Sequence, residues 1–130
     1  MLVIDASAAH NAVLAADGFT YYRREQLVAP ALLWSEVRSS LHERAWRDEL
    51  RAEIAHQALE RLEAAPIAPR THPRLGREAW RLADELGWAR TYAAEYVALA
   101  RLLNCRLVTL DAALRRTVAR VVQVIGPSEL

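Results

Sequence analysis

The chain has 130 residues, 53% of them hydrophobic, which is enough for one compact domain and too few for two. Its 17 basic and 16 acidic residues give a formal net charge of +1 and exclude the uniformly basic surface of a DNA-coating protein. All the basic residues are arginines, so mechanisms that need a P-loop lysine or a Schiff base are excluded. No apolar segment approaches the roughly 20 residues that span a bilayer, and no signal-peptide pattern is present. We therefore expect a cytoplasmic protein without a membrane segment.

The chain opens on a short apolar run, residues 2–4, that leads directly into Asp5 and Ser7. Such a run is typical of a parallel strand that is buried on both faces. A helix is predicted over residues 8–16, with Ser7 as its N-cap and the Asp-Gly pair 17–18 as its stop. Asp5 then lies at the carboxyl end of a strand, where open α/β sheets bind their ligands.

The middle of the chain alternates predicted strands and helices. Short strands are predicted over residues 27–30 and 66–69, the second at a sheet edge because prolines flank it. Helices are predicted over residues 31–50, 48–64, 75–86 and 92–104. The first of these helices carries Glu36 beside its apolar stripe. A glutamate in the first turns of a helix is ordinarily solvated, so a function for Glu36 depends on its spatial neighbours.

The opening pattern returns near the end of the chain, where the apolar run 106–110 is followed at once by Asp111. A helix over 112–120 and a last strand over 121–125 complete the alternation. This order predicts a single α/β domain over residues 1–130, with a central, mostly parallel sheet flanked by helices on both faces. Asp5 and Asp111 converge at one edge of that sheet if their strands are neighbours.

Carboxylates delivered by separate elements to one sheet edge favour a hard divalent cation, Mg²⁺ or Mn²⁺. Without a cation, two carboxylates about 4 Å apart repel by roughly 4 kcal/mol at an effective dielectric constant near 20. Zinc is disfavoured, because the single cysteine has no partner and the histidines show no zinc spacing, namely His10, His42, His56, His72 and Cys105. The chain also has no G-x-S-x-G elbow and no glycine-rich phosphate loop.

Four segments resemble, in order, the motifs of PIN-domain proteins, and more narrowly those of VapC-type toxins of bacterial toxin–antitoxin pairs. They read V-I-D-A-S-A at 3–8, P-A-L-L running to E-V at 30–37, T-Y-A-A-E-Y-V-A-L-A at 91–100, and L-V-T-L-D at 107–111. Each motif alone is weak. Together they cover nearly the whole chain and are specific.

The resemblance implies an endoribonuclease that uses Mg²⁺ or Mn²⁺ to activate a water molecule against a phosphodiester of single-stranded or looped RNA. Asp5, Glu36 and Asp111 match three of the family's metal-binding and catalytic acids. Ser7 and Thr109 match the small hydroxyl residues that line the site beside them. The resemblance therefore predicts that the carboxylates at the strand ends form a catalytic site.

The fourth acid of the family is expected immediately after Tyr92, where this chain has Ala93. Glu95 is not an obvious replacement, because two helical positions differ by about 200° and point to nearly opposite faces. Two explanations for the missing acid stay open. It was lost by natural degeneration, or it was changed deliberately so that a toxic nuclease could be produced. The intact surrounding motif favours the second explanation. We expect a nuclease with low or no activity. The alternative is a non-catalytic PIN module that binds RNA or an antitoxin.

Two further interpretations compete with the nuclease. A response-regulator-like or phosphatase domain also places Asp at strand ends, but it needs a lysine partner that this chain lacks. The acids are also interpretable as ordinary capping and surface residues. This interpretation is reasonable for any single acid and less so for Asp5, Glu36 and Asp111 together. We rank the nuclease first.

The predicted partners are RNA, a VapB-like antitoxin and a second copy of the chain, the last two implied by the resemblance. Arg90, Arg115 and Arg116 lie next to site elements in sequence and are candidate phosphate contacts. The helices of residues 34–62 are the candidate antitoxin groove, which would receive an apolar helix. The four tryptophans suggest more apolar surface than one core hides, namely Trp34, Trp46, Trp80 and Trp88.

Overall fold

A computed structural model describes residues 1–130 as one α/β domain built on a five-stranded sheet flanked by helices on both faces. The sheet order is β3-β2-β1-β4-β5, and every neighbouring pair is parallel. The predicted fold class is therefore confirmed. The strands are β1 (Leu2–Ile4), β2 (Leu27–Ala29), β3 (Ile67–Pro69), β4 (Arg106–Val108) and β5 (Val124–Ile125).

Six α-helices surround the sheet, together with short 3₁₀ turns at Thr20–Tyr22 and Pro127–Glu129. The first three helices pack against one another, while α4 packs against α5, which also lies on β1 and β4. None of the helices combines the length and apolar character needed to cross a membrane. The helices are α1 (Ala6–Val13), α2 (Leu32–Trp46), α3 (Ala52–Glu63), α4 (Leu75–Leu86), α5 (Tyr92–Leu102) and α6 (Ala112–Val118).

Helix boundaries differ from the predictions at two informative places. Asp5, not Ser7, is the N-cap of α1, and its Oδ1 accepts a hydrogen bond from the Ala8 amide at 3.0 Å. The prediction that Ser7 caps this helix was wrong, because the Ser7 hydroxyl donates to Asp5 and accepts the Leu110 amide instead. Helix α2 ends at Trp46 rather than near residue 50. Asp48 follows with a left-handed φ of 57°, a conformation that cannot continue a right-handed helix.

The sheet and the helices share one hydrophobic core, which contains all of β1. Trp34 and Trp88 pack against this core, whereas Trp46 and Trp80 are 82% and 68% exposed. The apolar content of the chain therefore exceeds what its own core covers, as the composition predicted.

The topology places β1 beside β4, with Ile4 opposite Val108. The chain runs from β1 outward through β2 to β3, then returns to the other side of β1 for β4 and β5. Such a reversal of strand order opens a crevice at the carboxyl ends of the strands, which is where α/β folds bind ligands. Asp5 and Asp111, which follow β1 and β4, both lie at this crevice.

Candidate active site

Asp5 is the most buried acid of the protein, with only 5% of its surface exposed. Its two carboxylate oxygens accept three hydrogen bonds, from the Ser7 hydroxyl at 2.7 Å, from the Ala8 amide at 3.0 Å, and from the Thr109 hydroxyl. Burial raises the pKa of Asp5, these three hydrogen bonds lower it, and the charge of Asp111 raises it further. The net direction is upward, so this carboxylate is desolvated but well supported.

Ser7 and Thr109 join the ends of β1 and β4. Besides bonding Asp5, the Ser7 oxygen accepts the Leu110 amide at 3.0 Å, and the Thr109 oxygen accepts the Asp111 amide at 3.0 Å. The two hydroxyl oxygens lie 3.2 Å apart. Each hydroxyl thus donates to Asp5 and accepts a backbone amide from the segment that follows β4. The pair orients Asp5 and the backbone that carries Asp111.

Asp111 is the N-cap of α6, where its Oδ1 accepts the Leu114 amide at 3.0 Å. Its charge reaches Asp5, since it contributes to the raised pKa of that residue. Asp111 is exposed and lines an open cleft of about 640 Å³. We call this the acid cleft; its lining is Glu36, Gly87, Trp88, Ala89, Arg90, Tyr92, Ala93, Asp111, Ala113, Leu114 and Thr117.

Glu36 enters the same cleft from α2 and is held by one hydrogen bond, which the Tyr96 hydroxyl donates to its Oε1 at 2.6 Å. Tyr96 is buried, and burial followed by the bond to Glu36 raises its pKa. Sequence analysis did not single out Tyr96. The missed signal was its hydroxyl, because a buried tyrosine needs a polar partner.

Ala93 lies in the first turn of α5, is exposed, and lines the acid cleft together with Glu36 and Asp111. Glu95 does not line this cleft. Its pKa is raised first by burial and then by the charge of Glu36, so the two glutamates are electrostatic neighbours. A carboxylate at position 93 would enter the cleft from α5, and Glu95 does not stand in for it.

Tyr22 is a further residue near the buried acid that sequence analysis did not single out. It is buried beside the core, and burial together with the charge of Asp5 raises its pKa to about 12. Tyr22 therefore remains a neutral phenol near the Asp5 carboxylate. No pattern in the sequence pairs the two, because Tyr22 belongs to a short 3₁₀ turn whose position only the fold sets.

The three candidate RNA contacts differ in their surroundings. Arg90 lines the acid cleft and takes part in no ion pair. Arg115 is paired with Glu129, its Nη2 lying 3.0 Å from Oε2. Arg116 is exposed in α6 but is not among the residues that line the cleft. All three stay predictions, and Arg90 is the one of them that lines the acid cleft.

The acids fit Mg²⁺ or Mn²⁺ in their chemistry, since the crevice offers carboxylate and hydroxyl oxygens. No three acidic, histidine or cysteine side chains lie together in an arrangement that could hold a metal ion. Mg²⁺ is commonly bound by only one or two carboxylates and keeps several water molecules. Asp5 and Asp111 suit such a site, and the predicted trio of Asp5, Glu36 and Asp111 stays a prediction.

Comparison with known proteins agrees with this architecture. The PIN-domain family model matches residues 2–119. VapC ribonuclease Mb0985 of Mycobacterium bovis and ribonuclease VapC9 of Mycobacterium tuberculosis are each 38% identical over 119 residues, covering 90% of this chain and 91% of theirs. PAE2754 of Pyrobaculum aerophilum superposes with a TM-score of 0.78 at 25% identity, covering 98% of this chain and 91% of that one.

A more distant structure, FitAcB of Neisseria gonorrhoeae, has a TM-score of 0.64 at 17% identity, with full coverage of both chains, and shares the fold. The parallel sheet with acids at the carboxyl ends of β1 and β4 thus defines a class of protein. The chain belongs to the PIN-domain family. Within that family it is similar to the mycobacterial VapC proteins over nearly its whole length.

Proposed function

We propose that this protein is a VapC-type ribonuclease toxin of a toxin–antitoxin pair, that its RNA cleavage depends on Mg²⁺ or Mn²⁺, and that Ala93 impairs the form described here. The observation that carries the proposal is the pair of acids at the strand ends. Hydroxyls hold the Asp5 carboxylate and the Asp111 backbone amide, and Asp111 lines a cleft together with Glu36 and Ala93. The mycobacterial relatives, named as ribonucleases, support it.

In this proposal the chain's own residues hold and orient charge. Ser7 and Thr109 fix the Asp5 carboxylate, and α6 fixes Asp111 through its cap. A bound Mg²⁺ or Mn²⁺ would supply a water of lowered pKa and neutralise charge on the phosphate. Asp5 and Asp111 would hold that ion, while Glu36, tied to Tyr96, would orient or deprotonate water from the opposite side of the cleft.

The missing carboxylate explains the low activity that we propose. Ala93 offers only a methyl group where α5 meets the cleft, so nothing from this helix orients water or balances a second positive charge there. Losing one group that stabilises a transition state costs about 10²- to 10³-fold in rate. Ala93 is also the observation that favours the second candidate, a PIN module that binds RNA or an antitoxin without cleavage.

The test is to restore the acid. Ala93→Asp should produce RNA cleavage with Mg²⁺ or Mn²⁺ at a rate at least about 100-fold above the present chain, and chelator should abolish it. Ala93→Asn is the matched control, because it has the same shape without the charge, and it should stay inactive. If Ala93→Asp folds normally yet leaves total RNA intact under both metals, the nuclease is excluded and the binding module replaces it.

The antitoxin is proposed to bind between α2 and α3, where mainly apolar side chains line a groove of about 210 Å³. The groove lies inside the region 34–62 and suits the apolar face of a helix. Its lining is Arg38, Leu41, His42, Ala45, Ala52, Ala55, His56 and Leu59. A second copy of the chain is proposed to cover exposed apolar surface such as Trp80, which is 68% exposed.

A charge placed in this groove tests the assignment. Ala55→Glu should abolish co-purification with the cognate antitoxin, because an apolar helix cannot cover an unpaired carboxylate without a large desolvation cost. Gln57→Glu, on the exposed side of the same helix, is the control and should bind normally. Unimpaired binding by Ala55→Glu would place the antitoxin elsewhere.

A further inference from the structure

A second cleft joins the acid cleft at the candidate active site. It has a volume of about 510 Å³, runs along α2, and shares Glu36, Arg90 and Tyr92 with the acid cleft. Its remaining lining is largely polar and consists of Leu32, Ser35, Ser39, Ser40 and Glu43. The two clefts together form one open path across the surface. A flexible polymer that lies along this path passes Glu36, which lines both clefts, and Asp111, which lines the acid cleft.

Tyr92 stands where the two clefts meet, and its ring is turned outward. It is 57% exposed, although it begins a helix in which six of the ten following residues are buried. The contrast with Tyr96, one turn further along the same helix, is direct: Tyr96 is buried and its hydroxyl is bonded to Glu36, whereas Tyr92 has no hydrogen bond and no aromatic partner. More than half of the Tyr92 side chain is therefore open to a ligand.

Arg90 lies beside Tyr92 and is the only basic residue lining either cleft. Nine ion pairs occupy other arginines of the protein, yet none involves Arg90. Its guanidinium is thus available to a ligand of negative charge in a path otherwise lined by Glu36, Glu43 and Asp111. An exposed ring next to a free guanidinium is the combination that binds a base and its phosphate.

We propose that Tyr92 is the stacking platform for one unpaired base of a single-stranded RNA that crosses the site from the α2 cleft to the acid cleft, with Arg90 contacting the adjacent phosphate. A ring that stacks on a base tolerates all four bases, because each has a π-face. A base inside a duplex is already stacked and cannot cover the ring. Tyr92 would therefore select unpaired RNA rather than a sequence. The inference rests on the proposed function and names the residue that contacts the unpaired base.

The first experiment measures binding with the present chain, which we expect to cleave little. A fluorescently labelled single-stranded RNA is titrated and compared with the same strand in a duplex. Tyr92→Leu should weaken binding of the single strand about tenfold, whereas Tyr92→Phe, which keeps the ring, should stay within about twofold. Tyr21→Leu is the control, because Tyr21 is 65% exposed and lines neither cleft. Unchanged binding by Tyr92→Leu overturns the inference.

A second experiment separates this inference from the nuclease itself. In the Ala93→Asp background, adding Tyr92→Leu should raise KM for a single-stranded substrate about tenfold. Adding Tyr92→Phe instead should leave KM unchanged. If Ala93→Asp cleaves and Tyr92→Leu changes neither KM nor binding, only the stacking platform is wrong. If Ala93→Asp never cleaves but Tyr92→Leu still weakens binding of the single strand, the platform stands and the nuclease is wrong. Preferential duplex binding would overturn the platform.

Discussion

The two sides of the site are built differently. The strand half, which consists of Asp5, Ser7, Thr109 and Asp111, is tied by side-chain hydrogen bonds that cross from β1 to the residues after β4. The helix half, which consists of Glu36, Tyr96, Ala93 and Glu95, contains one hydrogen bond, and its residues come from α2 and α5.

The difference shows where the site tolerates change. Adjacent parallel strands hold their ends in register, so every donor in the strand half has an acceptor within reach. The helix half depends on the packing of separate helices around the sheet. It is also the half in which Ala93 departs from the family pattern. We infer that the strand half is preorganised and that the helix half sets how active the site is.

The largest loss of stability is expected in the strand half. Thr109→Val keeps the shape but removes the hydroxyl that donates to Asp5 and accepts the Asp111 amide, leaving a buried charged oxygen without its donor. We expect the free energy of unfolding to fall by about 3 kcal/mol, measured by urea denaturation. Thr109→Ser, which keeps the hydroxyl, should recover most of it. A loss below about 1 kcal/mol for Thr109→Val would show that the strand half is not held by this bond.

A smaller loss is expected in the helix half. Tyr96→Phe removes the one hydrogen bond to Glu36 while keeping the buried ring, and should lower the free energy of unfolding by about 1 kcal/mol. In the Ala93→Asp background it should also lower the cleavage rate about tenfold, since groups that orient such acids are usually worth 10- to 100-fold. A fall in stability with no change in rate would make Tyr96 purely structural.

The smallest effect on stability concerns the charge of Asp5. Because the folded state raises its pKa, the folded chain binds this proton more tightly than the unfolded chain does. The group's contribution is therefore full below its ordinary pKa of 3.8 and is lost as pH rises through the higher folded value. Asp5→Asn does not titrate, so its stability relative to the present chain should rise over the pH range above about 4. Urea denaturation across that range measures the difference.

The same variant tests the metal. Asp5→Asn keeps the shape of the side chain and removes a ligand charge, so calorimetric titration with Mn²⁺ should show weaker binding than for the present chain. Glu36→Gln and Asp111→Asn complete the comparison between the two halves. If all three variants bind Mn²⁺ as the present chain does, these carboxylates hold no metal.

Much of the strand half was predictable because it depends on local patterns. Short apolar runs ending in Asp5 and Asp111 indicate parallel strands whose carboxyl ends carry acids, and the alternation with helices predicted the α/β sheet that the structure confirms. The sequence by itself determined the class of fold, the edge position of β3 and the end of α4 at Leu86, since hydrophobic period, proline and glycine act within a few residues.

Only the tertiary structure decided the contacts between distant residues. Ser7 bonds across to residues beyond β4, and so leaves the cap of α1 to Asp5; Tyr96 reaches Glu36 across sixty positions of sequence. The sequence of α5 alone likewise does not show whether Tyr92 faces a cleft or the core, because most residues of this helix are apolar. Such contacts follow from how helices pack on the sheet, and that packing balances many distant side chains that no local pattern encodes.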